Sequence, residues 1–242
     1  MEGKPSRITT ERESNPVSRS SFPSTKSTPE HSEDGSRALV PTRSPKESQS
    51  TQWDAPTFVI PKKDGTARFI ADFRELNKQI RRVPYPIPHI QDMLMNLEGF
   101  QHATSLDLNM GYYHLELSTK SRELCTIVPP FGKYEYQRIP VGLCNSPDIF
   151  QEKMNELFEG LSHVRAYIDD LLCLTKGTFN EHLEKLEGIF SRLQRVGLKV
   201  NATKSFFARG ELEYLGYWIT RNGIQPMKNK VAAIMKIGEP KN

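Results

Sequence analysis

The feature that most constrains this chain is a pair of adjacent carboxylates, Asp169-Asp170, set between two apolar runs within residues 166–174. Apolar residues on both sides of a short polar break predict a strand, a tight turn and a second strand. Two neighbouring carboxylates that lose water disfavour each other's ionisation, so burying them without a counter-charge is costly. A divalent metal held by oxygen ligands would supply that charge. The alternative is an ordinary exposed hairpin turn.

A second apolar strand upstream, residues 104–108, carries another carboxylate, Asp107. If both strands bring their aspartates to one place, Asp107, Asp169 and Asp170 form a magnesium site. Such a site can hold a phosphoryl group together with the oxygen that attacks it. The sequence therefore favours metal-assisted phosphoryl transfer over the exposed-turn alternative.

The charge distribution is compatible with a nucleic-acid partner. The 242 residues carry a formal net charge of only +4. Residues 62–82, however, contain seven basic side chains against three acidic ones, with two phenylalanines interleaved. This pattern favours phosphate binding, although a solvated charged face is the alternative.

Other functional classes find little support in the sequence. The three cysteines form no CxxC pair, and the six histidines do not pair with them at zinc-ligand spacing. No apolar run reaches membrane-spanning length, and the polar start does not resemble a signal peptide. We therefore expect an intracellular protein with reduced cysteines and no membrane partner.

The chain divides into segments of different composition. In residues 1–50, serine, threonine and proline occupy 23 positions and apolar residues show no periodicity, which predicts disorder. Residues 57–72 predict a hairpin with a basic tip. Two amphipathic helices are expected, one with Ser146 as its N-cap and one capped by Asn180, the latter with Leu183 and Phe190 on its buried face. Residues 124–128 predict a strand. Helices beneath antiparallel strands make an α+β fold.

The ordered motifs resemble a known family. Tyr167-Ile168-Asp169-Asp170, preceded by residues 106–112 with the sequence LDLNMGY, is similar to the palm of reverse transcriptases from gypsy-like LTR retrotransposons. The resemblance extends from about residue 50 to the C-terminus. It implies a right-hand polymerase with fingers and palm, an antiparallel palm sheet backed by helices, and the start of a thumb. The expected boundaries are 1–50 for the disordered segment, 51–222 for fingers and palm, and 223–242 for the truncated thumb.

The resemblance also implies roles for individual residues. Those expected to bind the incoming nucleotide are Lys63, Arg68, Gly111 and Tyr112. Tyr112 matches the aromatic position beneath the sugar, where a ring leaves no room for a 2′-hydroxyl. Arg74 matches a position that supports the template, and Gly216 and Tyr217 lie in a run that resembles the hairpin supporting the primer end.

The implied activity is RNA-directed DNA polymerisation with two Mg²⁺ ions, or Mn²⁺, on Asp107, Asp169 and Asp170. Its partners would be an RNA or DNA template with a primer, deoxynucleoside triphosphates, and the remaining thumb, RNase H and integrase regions of a Pol polyprotein. The expected location is a cytoplasmic particle or the nucleus. Two alternatives are a catalytically inactive nucleic-acid-binding remnant of a decayed element and an RNA-dependent RNA polymerase, although Tyr112 argues against the latter.

Overall fold

The computed structural model describes residues 39–41, 54–61, 67–95, 97–129, 133–227 and 231–232. In chain order, the elements are β1 (Leu39–Pro41), β2 (Thr57–Pro61), β3 (Ala67–Ala71), α1 (Arg74–Gln79), α2 (Ile90–Leu94), β4 (His102–Asn109), α3 (Thr119–Leu124), β5 (Thr126–Ile127), β6 (Tyr134–Tyr136), α4 (Ser146–Leu157), β7 (Val164–Tyr167), β8 (Asp170–Thr175), α5 (Phe179–Val196), β9 (Lys199–Val200), β10 (Phe206–Arg209), β11 (Glu211–Tyr214), β12 (Tyr217–Thr220) and β13 (Gly223–Pro226). Helices accompany antiparallel strand pairs, which fits the predicted α+β class.

Two compact units are present. The first comprises residues 1–86, 110–156 and 193–199, and the second comprises residues 87–109, 157–192 and 200–242. The boundaries differ from a simple division along the sequence, because the chain leaves the first unit and returns to it twice.

The first unit contains the predicted hairpin. Strands β2 and β3 pair antiparallel from Thr57 opposite Ala71 to Pro61 opposite Ala67. A separate three-stranded sheet has the order β1-β6-β5. Its strand β1 lies inside the segment predicted to be disordered, so that prediction is wrong at residues 39–41. Local composition could not reveal β6, the distant strand whose backbone groups pair with β1. The remainder of residues 1–50 lies outside the described residues.

The proline-rich segment 83–88 is extended, as its alternating prolines predict. Side chains at the start of α4 hold the beginning of this segment. The buried Asp148 accepts a hydrogen bond from the Tyr85 backbone N–H at 2.8 Å and lies 3.5 Å from the Arg82 guanidinium. Asn145 accepts one from the Val83 N–H at 3.3 Å. These contacts satisfy backbone N–H groups of a segment that belongs to no sheet.

The second unit is built on a sheet in which β4 lies between β10 and β8, and β7 follows β8. All of these neighbours pair antiparallel. A three-stranded sheet, β11-β12-β13, packs against it through a shared apolar cluster. The buried members of that cluster are Leu94, Leu97, Phe100, Ala103, Leu172, Leu212, Tyr214 and Ile219. This core supports the strands that carry the aspartates.

Three local predictions, one about a strand and two about helix caps, are wrong. Residues 124–128 do not form one strand, because α3 continues to Leu124 and only Thr126–Ile127 is extended. The Ser146 hydroxyl donates to the Pro140 carbonyl rather than capping α4. At α5 the cap is Thr178, whose hydroxyl accepts from the Glu181 N–H while the Glu181 carboxylate accepts from the Thr178 N–H. This reciprocal pair is a capping box.

Helix α5 also buries a narrower face than predicted. Leu186, Ile189 and Leu193 are buried, whereas Leu183 and Phe190 are exposed. None of the helices within the described residues has the length and apolar character needed to cross a membrane. Cys125, Cys144 and Cys173 are all free thiols; Cys125 and Cys173 are buried, and Cys144 is partly exposed.

Candidate active site

The paired aspartates lie at the tip of the hairpin between β7 and β8. Tyr167 pairs with Asp170, so the turn consists of Ile168 and Asp169 alone. A two-residue hairpin turn requires a positive φ at its first residue, and Ile168 has φ of +52°. That value is unfavourable for a β-branched side chain, and such strain often marks a functional site.

Asp107 lies on the neighbouring strand and faces the same turn. In the β4–β8 ladder Asp107 is directly opposite Asp170, and the Leu108 N–H donates to the Asp169 carbonyl at 2.9 Å. The Asp107 backbone is also fixed on its other side, where its N–H donates to Ser205 Oγ at 3.1 Å. The structure therefore brings the three predicted aspartates to one edge of one sheet.

The electrostatics of this edge disfavour three free carboxylates. Burial, with the charges of Asp170 and Asp107, raises the pKa of Asp169 to about 6. Burial and Asp107 also raise the pKa of Asp170, while Lys204 acts in the opposite direction. Lys204 Nζ lies 4.0 Å from Asp107 Oδ2 and supplies one exposed positive charge. This single charge leaves the cluster with a net negative charge.

The donor set suits a hard divalent cation. Asp169 Oδ1 is buried and has no hydrogen-bond partner, which is costly unless another group takes that position. Carboxylate oxygens are the ligands preferred by Mg²⁺ and Mn²⁺. Across the described segments, however, no group of three Asp, Glu, His or Cys side chains is close enough to hold one ion. The aspartates thus share an edge and suit a metal, without forming a complete ligand shell.

The hairpin between β11 and β12 supports the aspartate strand. The Tyr214 hydroxyl donates to the Asp170 backbone carbonyl at 3.1 Å, and burial raises the pKa of this phenol, so it stays protonated as a donor. Leu215 and Gly216 form the turn, with φ of +48° and +79°. Tyr217 follows, half-buried against the apolar cluster. Gly216 and Tyr217 therefore belong to the same unit as the aspartates.

The residues predicted to bind nucleotide that the structure describes, Arg68, Gly111 and Tyr112, belong to the first unit. After β4 the chain turns through Met110, with φ of +53°, into a short 3₁₀ helix, Gly111–His114. Tyr112 is half-buried there, and its ring centroid lies 5.2 Å from that of the fully buried Phe150. Arg68 lies on β3, and Lys63 falls outside the described residues.

Arg74, predicted to support the template, is paired within its own unit. Its guanidinium donates to both carboxylate oxygens of Asp72, the shortest distance being 2.6 Å. Hydrogen bonds from the Arg74 side chain and backbone lower the pKa of Asp72 to about 2. Most of the Arg74 side chain nevertheless remains exposed to solvent.

Sequence reasoning missed three residues at this site: Lys204, Ser205 and Tyr214. Lys204 lies in a polar break between two apolar runs, a weak signal that could have marked a loop beside a strand end. Ser205 and Tyr214 reach the aspartate strands only through tertiary pairing, so nothing in their local sequence indicates that contact.

Sequence comparisons agree with this arrangement. Residues 60–219 match the family model described as reverse transcriptase (RNA-dependent DNA polymerase). The Pol polyprotein from transposon 297 of Drosophila melanogaster is 32% identical over 198 residues, which cover 79% of this chain and 19% of that protein. The Tf2-3 polyprotein of Schizosaccharomyces pombe is 29% identical, covering 77% and 14% respectively. The chain therefore spans less than a fifth of these curated relatives.

Solved structures of reverse transcriptases are also similar to this chain. The foamy viral protease-reverse transcriptase in complex with dsDNA is 26% identical with a TM-score of 0.73, covering 84% of this chain and 41% of that one. The same viral enzyme in complex with an RNA/DNA hybrid gives a TM-score of 0.69 at 27% identity, covering 77% and 25%. These matches confirm the predicted palm-and-fingers fold. With the aspartates on one sheet edge and a family model spanning most of the described residues, this chain belongs to the reverse transcriptase family.

Proposed function

We propose that this chain is the polymerase part of a retrotransposon Pol polyprotein and adds deoxynucleotides to a primer 3′ end on an RNA or DNA template. The observation that carries the proposal is the convergence of Asp107, Asp169 and Asp170 on one sheet edge, with the pKa values of the latter two raised. Family membership supports the reaction class, and the foamy viral relatives in complex with dsDNA and an RNA/DNA hybrid support the template class.

The three aspartates would hold two Mg²⁺ ions, or Mn²⁺. When bound, such ions lower the pKa of the primer 3′-hydroxyl and offset charge on the triphosphate and the departing pyrophosphate. The chain itself supplies the ligands: Asp170 and Asp107 from paired strands, and Asp169 from the strained turn with Oδ1 available. Tyr214 and Ser205 fix the backbone beneath them. No side chain serves as nucleophile, since that role belongs to the primer.

Residues elsewhere would bind the remaining substrates. Lys63 and Arg68 would grip the triphosphate, and the backbone at Gly111 would approach its phosphates closely. Tyr112 would exclude ribonucleotides, a role supported by the buried Phe150 ring packed against it. Arg74 would support the template, and Gly216 with Tyr217 the primer end.

The polyprotein relatives support the proposal that this segment belongs to a longer polyprotein. We propose a gypsy-like element, with thumb, RNase H and integrase regions as partners of this segment, and a cytoplasmic particle or the nucleus as its location. Residues 51–222 would form fingers and palm, residues 223–242 would begin the thumb, and residues 1–50 would precede the polymerase.

Primer extension and gel shift in parallel test this function. Asp107→Asn and Asp169→Asn should abolish extension but keep primer–template binding, because affinity comes mainly from basic contacts to phosphate. Asp92→Asn, which removes an exposed carboxylate on α2, is the matched control and should extend normally. Normal extension by either site variant would contradict the metal assignment. Binding without extension by the unaltered chain would instead favour the inactive nucleic-acid-binding remnant.

A further inference from the structure

Strand β10 exposes two consecutive aromatic side chains. Phe206 is 47% exposed and Phe207 is 43% exposed. In a regular strand successive side chains point to opposite faces, so at least one of two neighbours on a packed sheet normally becomes buried. Leaving both phenylalanines in water forgoes the favourable free energy of burying them. Adjacent exposed aromatics of this kind mark an interaction surface more often than isolated ones do.

A β-bulge accounts for the exposure of both neighbouring side chains. Phe206 pairs with Ser105 and Arg209 pairs with Ala103, so three steps along β10 match two along β4. The extra residue falls at Ala208, whose φ of +47° is unfavourable for a residue with a Cβ. The Ala208 N–H donates to Thr104 Oγ1 at 3.0 Å, which holds the irregular backbone against β4.

A buried polar network fixes the bulge from inside. Thr104 Oγ1 shares a hydrogen bond of 2.7 Å with His182 Nε2, and His182 Nδ1 shares one of 2.8 Å with Thr175 Oγ1. His182 is fully buried, so strands β4 and β8 and helix α5 are joined at this point. Strained backbone persists only where its surroundings over-determine it, and such places are enriched in function.

The flanking charges indicate the chemistry of the occupant. Between Val200 and Gly210 the charged residues are Lys204 and Arg209, both exposed and both positive. The next acidic residue, Glu211, accepts a hydrogen bond from the Trp218 indole. Exposed aromatic rings combined with cations bind single-stranded nucleic acid, because rings stack on bases while cations contact phosphates.

The position of Phe206 and Phe207 on the sheet also favours a nucleic-acid partner. Ser205, immediately before the aromatic pair, accepts the Asp107 N–H, and Lys204 lies beside the Asp107 carboxylate. The aromatic surface is thus continuous with the edge where we place the primer end.

We propose that Phe206, Phe207 and Arg209, the β10 platform, form a second nucleic-acid site that binds a single strand by base stacking and phosphate contact. The platform lies outside the metal site and needs no divalent ion. The platform is therefore tested by the binding of its variants in EDTA and the polymerase assignment by primer extension with Mg²⁺, so either can fail without the other.

The experiment is fluorescence anisotropy of labelled single-stranded 12-mers, DNA and RNA in separate arms, with the full chain in EDTA. Phe206→Leu and Phe207→Leu keep apolar bulk but remove stacking, and each should weaken binding by about fivefold or more. Phe206→Tyr and Phe207→Tyr keep the ring and should bind within about twofold of the unaltered chain. Phe179→Leu is the matched control, because this side chain on α5 is 51% exposed, and its affinity should not change.

Salt dependence separates the two kinds of contact. The leucine variants should leave the slope of log affinity against log salt unchanged, whereas Arg209→Gln should reduce its magnitude by about 0.7. Weaker binding in only the DNA or only the RNA arm identifies the strand that the platform prefers and supports the proposal. Unchanged affinity of both leucine variants in both arms would overturn it and indicate that a protein segment covers this face.

Discussion

Removing the charge of Asp169 should stabilise the metal-free protein, although the same change should abolish its proposed activity. The carboxylate is partly buried, Oδ1 has no hydrogen-bond partner, and its pKa rises from 3.8 to about 6 because of burial and the charges of Asp170 and Asp107. A shift of one pKa unit corresponds to about 1.4 kcal/mol, so ionised Asp169 destabilises the folded state by about 3 kcal/mol. An asparagine side chain at this position keeps the shape without the charge. We expect Asp169→Asn to raise the free energy of unfolding by about 1 to 3 kcal/mol at pH 7 in EDTA.

The pH dependence has a definite sign. The pKa of Asp169 in the folded state lies above its value in the unfolded state. The stabilisation that protonated Asp169 gives the folded state is therefore fully present below about pH 4 and is lost as pH rises through about 6. The difference between Asp169→Asn and the unaltered protein should therefore be small at pH 4 and reach its full size above pH 6. The buried histidines change the free energy of unfolding in the opposite direction over the same pH range. Their contributions cancel when the pH–stability curve of the unaltered protein is subtracted from that of Asp169→Asn.

Urea unfolding followed by tryptophan fluorescence measures this difference. Asp72→Asn is the matched control, since Arg74 lowers the pKa of Asp72 and loss of that charge should destabilise the protein. Adding Mg²⁺ should stabilise the unaltered protein more than the Asp169→Asn variant, because a ligand stabilises only the state that binds it. If Asp169→Asn were no more stable than the unaltered protein at pH 7 in EDTA, the carboxylates would not be in electrostatic conflict and the reasoning would fail.

Three further outcomes are expected. Tyr112→Ala should lower the ratio of kcat/KM for deoxyribonucleotides over ribonucleotides by about tenfold or more, measured by single-nucleotide insertion, and an unchanged ratio would make Tyr112 a packing residue. Asp148→Ala should lower the free energy of unfolding, measured in urea, by about 2 to 4 kcal/mol, because it leaves the Tyr85 N–H without its acceptor. A decrease below about 1 kcal/mol would mean that water replaces the lost carboxylate. His182→Ala should lower the free energy of unfolding by a similar amount at pH 7. Because burial lowers the pKa of His182, that cost should shrink as pH falls below about 6.5, and a pH-independent cost would contradict a buried neutral imidazole.

The sequence predicted the features that local pattern controls. Two apolar strands ending in Asp107 and Asp169 could be identified because alternation and turn residues act over a few positions. Their convergence was a hypothesis that the resemblance to the reverse transcriptase palm supported, because carboxylates of like charge do not come together without a counter-charge. The β2–β3 hairpin and helices α4 and α5 were predicted for the same reason.

Features controlled by distant partners were not predicted. Strand β1 depends on β6, and the contact of Tyr214 with the Asp170 carbonyl depends on packing between two sheets. The positive φ of Ala208 depends on Thr104 and the buried His182 network behind it. One miss was avoidable, since Thr178 and Glu181 have the spacing of a capping box, which outweighs the intrinsic capping preference of Asn180.

The most direct test of the central claim is single-turnover insertion of one deoxynucleotide into a primer annealed to an RNA template. A single insertion requires the aspartates, the nucleotide and the template base, but no processive movement along the duplex. The unaltered chain should insert the complementary deoxynucleotide with Mg²⁺ or Mn²⁺ and none with EDTA, while Asp107→Asn should insert none under either condition. Insertion by Asp107→Asn at the rate of the unaltered chain would contradict the claim that the aspartate edge of this sheet is the catalytic centre.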